Sequence, residues 1–279
     1  MTNRLAGILC AGALAGVSAS AQFVYNTEIN GDTATVTFLS PRVFTGSGIT
    51  GAPFTADRVS EHTQTLADGT RIRQPQNVEH VFRDSHGRTR NEEPIFRARG
   101  IVLGAHPPEE FKLTQISDPV AGFAYVVDDQ NKVAHRITMT PRQAGAPRIS
   151  IPDGARAAAS GGAVRPTPPD DSAQPQHATE KLAPKSIEGV VAEGTRSTTT
   201  WPVNSQGNDR SIVQTNETWR SAELKETVLT TNTDPRNGET VTKLINISRA
   251  EPDPALFQPP ASYTIVDEKD PFKITLKRQ

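Results

Sequence analysis

The side chains able to do chemistry in this chain are few and scattered. Six histidines occur: His62, His80, His86, His106, His135 and His177. His80 lies between Val78 and Phe82, and His135 between Val133 and Ile137, so strand spacing would turn both toward an apolar face. With His62 as a third nitrogen they would form a metal set, since imidazole suits zinc and copper. No local ligand motif accompanies them, and a histidine hydrogen-bonded within its own sheet is the simpler expectation. Asp84-Ser85-His86 has the letters of a hydrolase triad, but neighbours in a tight turn cannot place nucleophile, base and orienter in line. The acid pairs Glu92-Glu93, Glu109-Glu110, Asp128-Asp129 and Asp170-Asp171 diverge in extended chain and are solvated in turns. They do not indicate a general acid and base facing each other across a cleft. Gly46 to Gly51 fits the dinucleotide-binding fingerprint, yet Pro53 and a Thr-rich run follow where a helix would have to open. Trp201 and Trp219 read as core aromatics before they read as the floor of a ligand site. No catalytic, cofactor-binding or metal residue is assigned, no cofactor is expected, and the ligand-binding positions stay open.

The chain has 279 residues, enough for one large β domain or two small ones. Hydrophobic residues make up 35% and aromatics 5%, which points to a thin, partly solvated sheet with irregular segments. Residues 1–21 combine Arg4, an apolar centre from Leu5 to Val17, and small residues at Ala19 and Ala21. That is the pattern of a secretory signal peptide cleaved before Gln22, with an apolar run shorter than the roughly 20 residues a spanning helix needs. Leu9 before Cys10 is too large for lipoprotein processing. Cleavage removes Cys10, the single cysteine, so the mature chain has no disulfide, thiolate nucleophile or thiolate ligand. An exported protein without disulfides suits a bacterial periplasm or cell surface. Without Arg4 the balance is 29 basic against 31 acidic residues, spread along the chain, which leaves no electrostatic footprint for nucleic acid.

The elements that must carry these side chains read as strands. Asn30-Gly31 and Asp68-Gly69 punctuate β-favouring runs, and Asp84 to Gly87, Asp118 to Gly122 and Asp128 to Lys132 continue a meander. Val133, His135, Ile137 and Met139 alternate with small or polar residues, placing this set on the buried face. Residues 91–110 read as an irregular insertion. Residues 185–266 are the densest strand region, Thr- and Val-rich and broken at Ser205 to Asp209 and Asp234 to Gly238. Asp253-Pro254 predicts a capped single turn tucking Leu256 and Phe257 under the sheet. The expected organisation is a signal peptide over 1–21, halves of a β domain over 22–139 and 185–266, a disordered Pro/Ala/Gly-rich linker or extruded loop over 140–184, and a frayed charged tail over 267–279. One shared sheet is favoured over two tethered domains, because each half holds too few large apolar residues to close its own core. The fold class is all-β, mainly antiparallel, as a curved open sheet or half-barrel.

Two blocks carry a family resemblance. Residues 54–90, FTADRVSEHTQTLADGTRIRQ with VFRDSHGRTR, and residues 187–263, including NETWRSAELKETVL and TKLINISRAEPDPALFQPPASY, resemble an uncharacterised family of exported bacterial proteins common in acidobacterial-type genomes. Trp219 to Pro260 is also similar to the LolA-like lipoprotein-carrier superfamily. That resemblance implies an incompletely closed antiparallel sheet that cradles acyl chains or other apolar ligands. No amphipathic helix is present to plug such a cavity, and no family residue carries over to a numbered position. The expected role is non-catalytic: binding of a lipid or other apolar envelope ligand on a concave sheet face, with no transmembrane anchor after cleavage. The alternative is a protein-interaction or sensor module with an envelope protein as partner and no cavity.

Overall fold

The computed structural model describes residues 25–30, 33–39, 43–45, 48–74, 76–94, 112–141 and 174–277. Residues 1–21, where a signal peptide is expected, the greater part of 140–184 and His106 lie outside the described residues. Strands dominate: β1 (Tyr25–Asn30), β2 (Thr33–Phe38), β3 (Val43–Thr45), β4 (Phe54–Thr65), β5 (Arg71–Arg73), β6 (Asn77–Arg83), β7 (Thr89–Pro94), β8 (Lys112–Asp118), β9 (Phe123–Asp128) and β10 (Val133–Pro141) precede the linker. After it come β11 (Gln176–Ile187), β12 (Val190–Trp201), β13 (Ile212–Ser221), β14 (Glu226–Asp234), β15 (Gly238–Ser248), a single 3-10 turn (Pro254–Phe257), β16 (Thr264–Asp267) and β17 (Phe272–Lys277).

Most of the strands form one open sheet in the order β11-β12-β13-β14-β15-β4-β6-β7-β8-β9-β10-β16, antiparallel except where β10 meets β16 and β3. β15 pairs with β4 from Glu239 opposite Thr63 to Ile245 opposite Asp57, so strands from before and after the linker share the sheet. β11 forms one end of it and β16, beside β10, the other.

The hairpins explain where the acidic residues go. Asp84, Asp118, Asp128 and Asp234 are buried, and each stands at or next to the end of a strand. Each accepts the backbone N–H two residues on through its Oδ1: His86 at 3.0 Å, Val120 at 2.9 Å, Gln130 at 3.1 Å and Arg236 at 2.8 Å. A short carboxylate can imitate a turn of backbone in this way, which lets the chain reverse with its buried polar groups satisfied. The β11–β12 turn uses another device. Ile187 faces Val190, and Glu188 and Gly189 both have positive φ, the two-residue connection whose twist matches that of paired strands.

Residues opposite one another in the ladder share a face, so the register fixes two faces across the whole sheet. Face A carries Phe54, Ala56, Arg58, Ser60 and His62 on β4, and face B carries Thr55, Asp57, Val59 and Glu61. On face A of β8 to β10, Leu113, Ala124, Val126, Ile137 and Met139 are buried under a second sheet of order β1-β2-β17. That cap contributes Val36, Phe38, Phe272, Ile274 and Leu276, with Phe38 and Phe272 stacked at 4.6 Å. On face B of the same strands, Ile116 and Val127 pack with Phe257 from the 3-10 turn, flanked by Phe82, Tyr125, Leu256 and Tyr263. Asp253 caps that turn by accepting from Ala255 N at 2.9 Å. The third cluster joins Phe54, Ala56 and Val81 to Val190, Ala192, Trp219, Leu224, Val228 and Leu244, and therefore knits the linker-flanking halves together.

Two sequence expectations change. The 267–279 tail does not fray throughout: β17 pairs with β2 from Phe272 opposite Phe38 to Lys277 opposite Thr33. Its alternation of Phe272, Ile274 and Leu276 with Lys273, Thr275 and Lys277 is a half-buried strand pattern, outweighed in the sequence reading by the charge around it. The end of the linker, 176–184, is not structureless either but lies in β11, paired with β12. An edge strand needs backbone partners on one side and little apolar area, so composition alone misreads it.

Candidate functional site

The histidines do not converge. His62 lies on face A, its Nδ1 3.0 Å from Thr240 Oγ1, whereas His80, opposite Asp57, lies on face B with its Nδ1 2.6 Å from Asp57 Oδ1. His135 is distant on β10, its Nδ1 2.7 Å from Glu268 Oε1 and its ring stacked on Phe272 at 4.7 Å. His177 meets Thr199 Oγ1 at 3.1 Å. Each ring thus has its own local partner, and the metal set His62, His80 and His135 is not assembled.

One metal-like grouping exists among the described residues: Asp84, His86 and Glu251 bring ligand atoms within 4.8 Å of one another. Its oxygens are already engaged. Asp84 accepts from His86 N, from Arg88 N at 2.8 Å and from Arg88 Nε at 2.5 Å, so the arginine cation occupies the place a metal charge would take. Glu251 Oε1 accepts from Ser85 N and Ser85 Oγ. Ser85 therefore donates both its N–H and its hydroxyl to a carboxylate on the far segment, not to an imidazole as a triad would require. The letters of a triad lock a turn onto the segment before the 3-10 turn.

The sequence reading missed a cluster of convergent charges on face A, at the border of the cap. Arg58 reaches Glu79 at 2.8 Å and Glu226 at 4.0 Å; Arg83 reaches Glu226 at 3.4 Å, both of the latter side chains being 3% exposed. Arg83 also donates to Ala52 O at 3.0 Å and to Leu224 O, and lies over the Phe54 ring. Beside them Glu93 Oε1 accepts from Tyr25 OH and from Gln115 Nε2, each at 2.9 Å. Burial pushes the Glu93 carboxyl up, with Glu79 adding to the rise, against the pull of Tyr25, Arg58 and Gln115. Burial alone would lower the Arg58 guanidinium, but Glu79 and Glu226 hold it above its ordinary value; burial lowers that of Arg83. The period of two in DRVSE and VEHVFR places Arg58, Glu79 and Arg83 on one face, but only the pairing of β15 with β4 brings Glu226 to them. The arrangement ties β1, β4, β6, β7, β8 and β14 together.

Beyond this cluster the sheet is open. On face A, one ladder row runs Thr195, Thr218, Thr230, Thr242 and Ser60, and the next runs Ser197, Asn216, Asn232, Thr240 and His62. None of these residues is buried. Neighbours touch within a row, as in Thr242 Oγ1 to Ser60 Oγ at 3.2 Å, and between rows, as in Thr218 Oγ1 to Asn216 Oδ1 at 3.1 Å. Face B of the same strands is charged. Arg196 bridges Glu180 at 2.7 Å and Glu217 at 2.6 Å across three strands, and its bond holds the Glu217 carboxyl below the ordinary range. Trp219, also on face B, lies against Gly194 with the Lys185 ammonium 3.8 Å above its ring, whereas Trp201 is half-buried on face A, beyond the two rows and beside Arg236. At the margin, β11 has no strand on its outer side among the described residues, and ten of its twelve residues are exposed.

No family model matches the chain, and no curated protein matches it. Among solved structures, it is similar to an uncharacterized conserved protein from Thermus thermophilus at 9% identity, covering 78% of this chain and 91% of that chain, with a TM-score of 0.38. A second likeness is to the Pseudomonas aeruginosa MucA/MucB complex at 12% identity, over 77% of this chain and 58% of that chain, with a TM-score of 0.34. A third is to the LolA superfamily protein NE2245 from Nitrosomonas europaea at 12% identity, over 75% and 91% of the two chains, with a TM-score of 0.29. The chain spans little more than half of the MucA/MucB chain it matches. A LolA-superfamily protein thus stands among the structures that this chain is similar to, at a distance that carries no function to it.

Proposed function

We propose that the chain is an exported, non-catalytic binding module that takes an extended segment of an envelope protein along the outer edge of β11. The single observation that carries this reading is the edge itself: twelve residues long, exposed, and without a partner strand among the described residues. An open edge offers a row of backbone N–H and C=O groups on which another strand can be added. Pro184, Lys181, Lys185 and the register shift between Leu182 and Lys185 blunt one end of β11, which leaves 176–182 as the usable run. Export rests on the 1–21 pattern. The absence of catalysis is supported by the four turn-making aspartates and by the separate pairing of each described histidine. Among the described residues no helix is long and apolar enough to cross a membrane.

A second reading, carriage of a lipid or other apolar ligand, is favoured by the rim of the third core cluster, where Leu182, Ile187, Leu229 and Ile247 are only partly buried. Against it, most of the buried apolar side chains belong to three core clusters, so this rim would have to supply the apolar area that drives ligand burial. Native mass spectrometry after mild extraction separates the two: the interaction reading expects the bare chain or a protein complex, and co-purifying lipid would overturn it. Ala178→Pro and Thr179→Pro provide the site test. Successive N–H groups point to opposite sides of a strand, so one variant blocks the outer edge alone, and that one should abolish capture of the partner from envelope extract while keeping the fold.

A further inference from the structure

The two faces of the open end differ in a way that strand propensity does not explain. Threonine-rich strands favour the pleat, but propensity acts on both faces alike. Here the charges are sorted by row: face B of β12 to β15 and β4 carries Arg196, Glu217, Lys243, Glu239 and Glu61, whereas the two face A rows carry none and meet charge only at their flank, where Glu193 stands opposite Arg220. Those rows hold hydroxyls and carboxamides, with one imidazole at His62, and nearly every group can both donate and accept a hydrogen bond. Each row advances about 4.8 Å per strand, and rows lie about 7 Å apart along the strand.

We propose that this neutral face binds a neutral glycan chain lying across β12 to β4. The charge pattern selects that occupant. A nucleic acid would need cations, which the rows lack. A protein interface core favours aromatic side chains, Met and Arg, and the two rows hold none of these, Trp201 and Arg220 standing outside them. A lipid would need continuous apolar area. A polyol presents uncharged groups that donate and accept at short intervals, and it matches such a surface without stripping water from a fixed charge. The site is bounded on the β4–β6 side by the Arg58–Glu79 pair and at its outer end by Lys181, opposite Thr195. It is separate from the β11 edge, and does not depend on the protein-binding reading.

Isothermal titration of the full chain with maltohexaose, cellohexaose and chitohexaose tests it. At least one of these should bind saturably at millimolar concentration or below, and Thr230→Val with Asn232→Leu should weaken that binding by about tenfold or more, as loss of paired hydrogen bonds predicts. Arg196→Ala, on the opposite face, should leave it within about twofold. Amide-shift mapping on the unmodified protein gives a readout that needs no variant, with the largest changes expected at Asn216, Thr230, Asn232 and Thr240. Binding by none of the three, binding indifferent to the face A changes, or shifts confined to face B would overturn the proposal. An edge-blocked β11 variant that loses its protein partner but keeps the sugar would leave this proposal standing.

Discussion

Single residues show how little slack the fold has. A Cβ placed on Gly194 would meet the Trp219 ring at 2.7 Å, so Gly194→Ala must displace the indole from beneath Lys185. The expected cost is about 1–3 kcal/mol, with a red shift of tryptophan emission as Trp219 becomes wetter. Unchanged emission and stability would mean that the ring does not rest on that glycine. Glu93 makes a prediction about pH. Because burial and Glu79 raise its carboxyl, the folded protein keeps a proton that the unfolded chain has already released. Stability should therefore fall as pH climbs from the ordinary carboxylate range through the raised value. Glu93→Gln keeps an acceptor for Tyr25 and Gln115 without the charge, and should flatten that fall and raise the melting temperature at neutral pH. A rise of about 2–4 °C is the size that about 1 kcal/mol produces in a domain of this length. A pH–stability curve that overlays the unmodified protein's would refute the assignment.

Elements meet through contacts that their own sequences do not announce. Glu226 opens β14 and is buried against Arg83 at the end of β6, in the other half of the chain. Glu226→Ala should cost about 3–5 kcal/mol because it strands the arginine, while Arg83→Met with Glu226→Leu should recover at least half of that loss, as measured by denaturant unfolding. Equal losses in both variants would show that the pair contributes attraction rather than merely avoiding an uncompensated charge. The cap supplies a parallel case. Ile274 is 2% exposed on β17, and Ile274→Ala should cost about 2–5 kcal/mol; a frayed tail would lose nothing. The turns, the alternation in β10 and the Asp253 cap were legible because each is a local pattern with a local cause. β17 and β11 were not, since one is hidden by flanking charge and the other is held by its neighbour's backbone. The charge cluster at Arg58, Glu79, Glu93 and Glu226 was illegible for a further reason: its members are up to 168 positions apart, and their meeting depends on a register fixed by β4 and β15.

At the scale of the whole molecule, one end of the sheet is covered on both faces, and the other leaves rows of half-buried and exposed residues beyond the third core cluster. The covered end holds the cap and the 3-10 turn segment, and the second end holds the free edge and the neutral rows. Both proposed binding surfaces lie at the second end. The proposed glycan face exists in this form only if β15 pairs with β4 in the observed register, which sets Val241 opposite Glu61 and Thr240 opposite His62. A disulfide reports on that register directly. With Cys10 replaced by serine, Glu61→Cys with Val241→Cys should oxidise to a looped chain of faster mobility on non-reducing electrophoresis, since directly opposed residues bring their Cβ atoms within reach of a bridge. Ser60→Cys with Val241→Cys, on opposite faces, should not. Bridging of the second pair in preference to the first, or of neither while the protein remains folded, would contradict the single shared sheet.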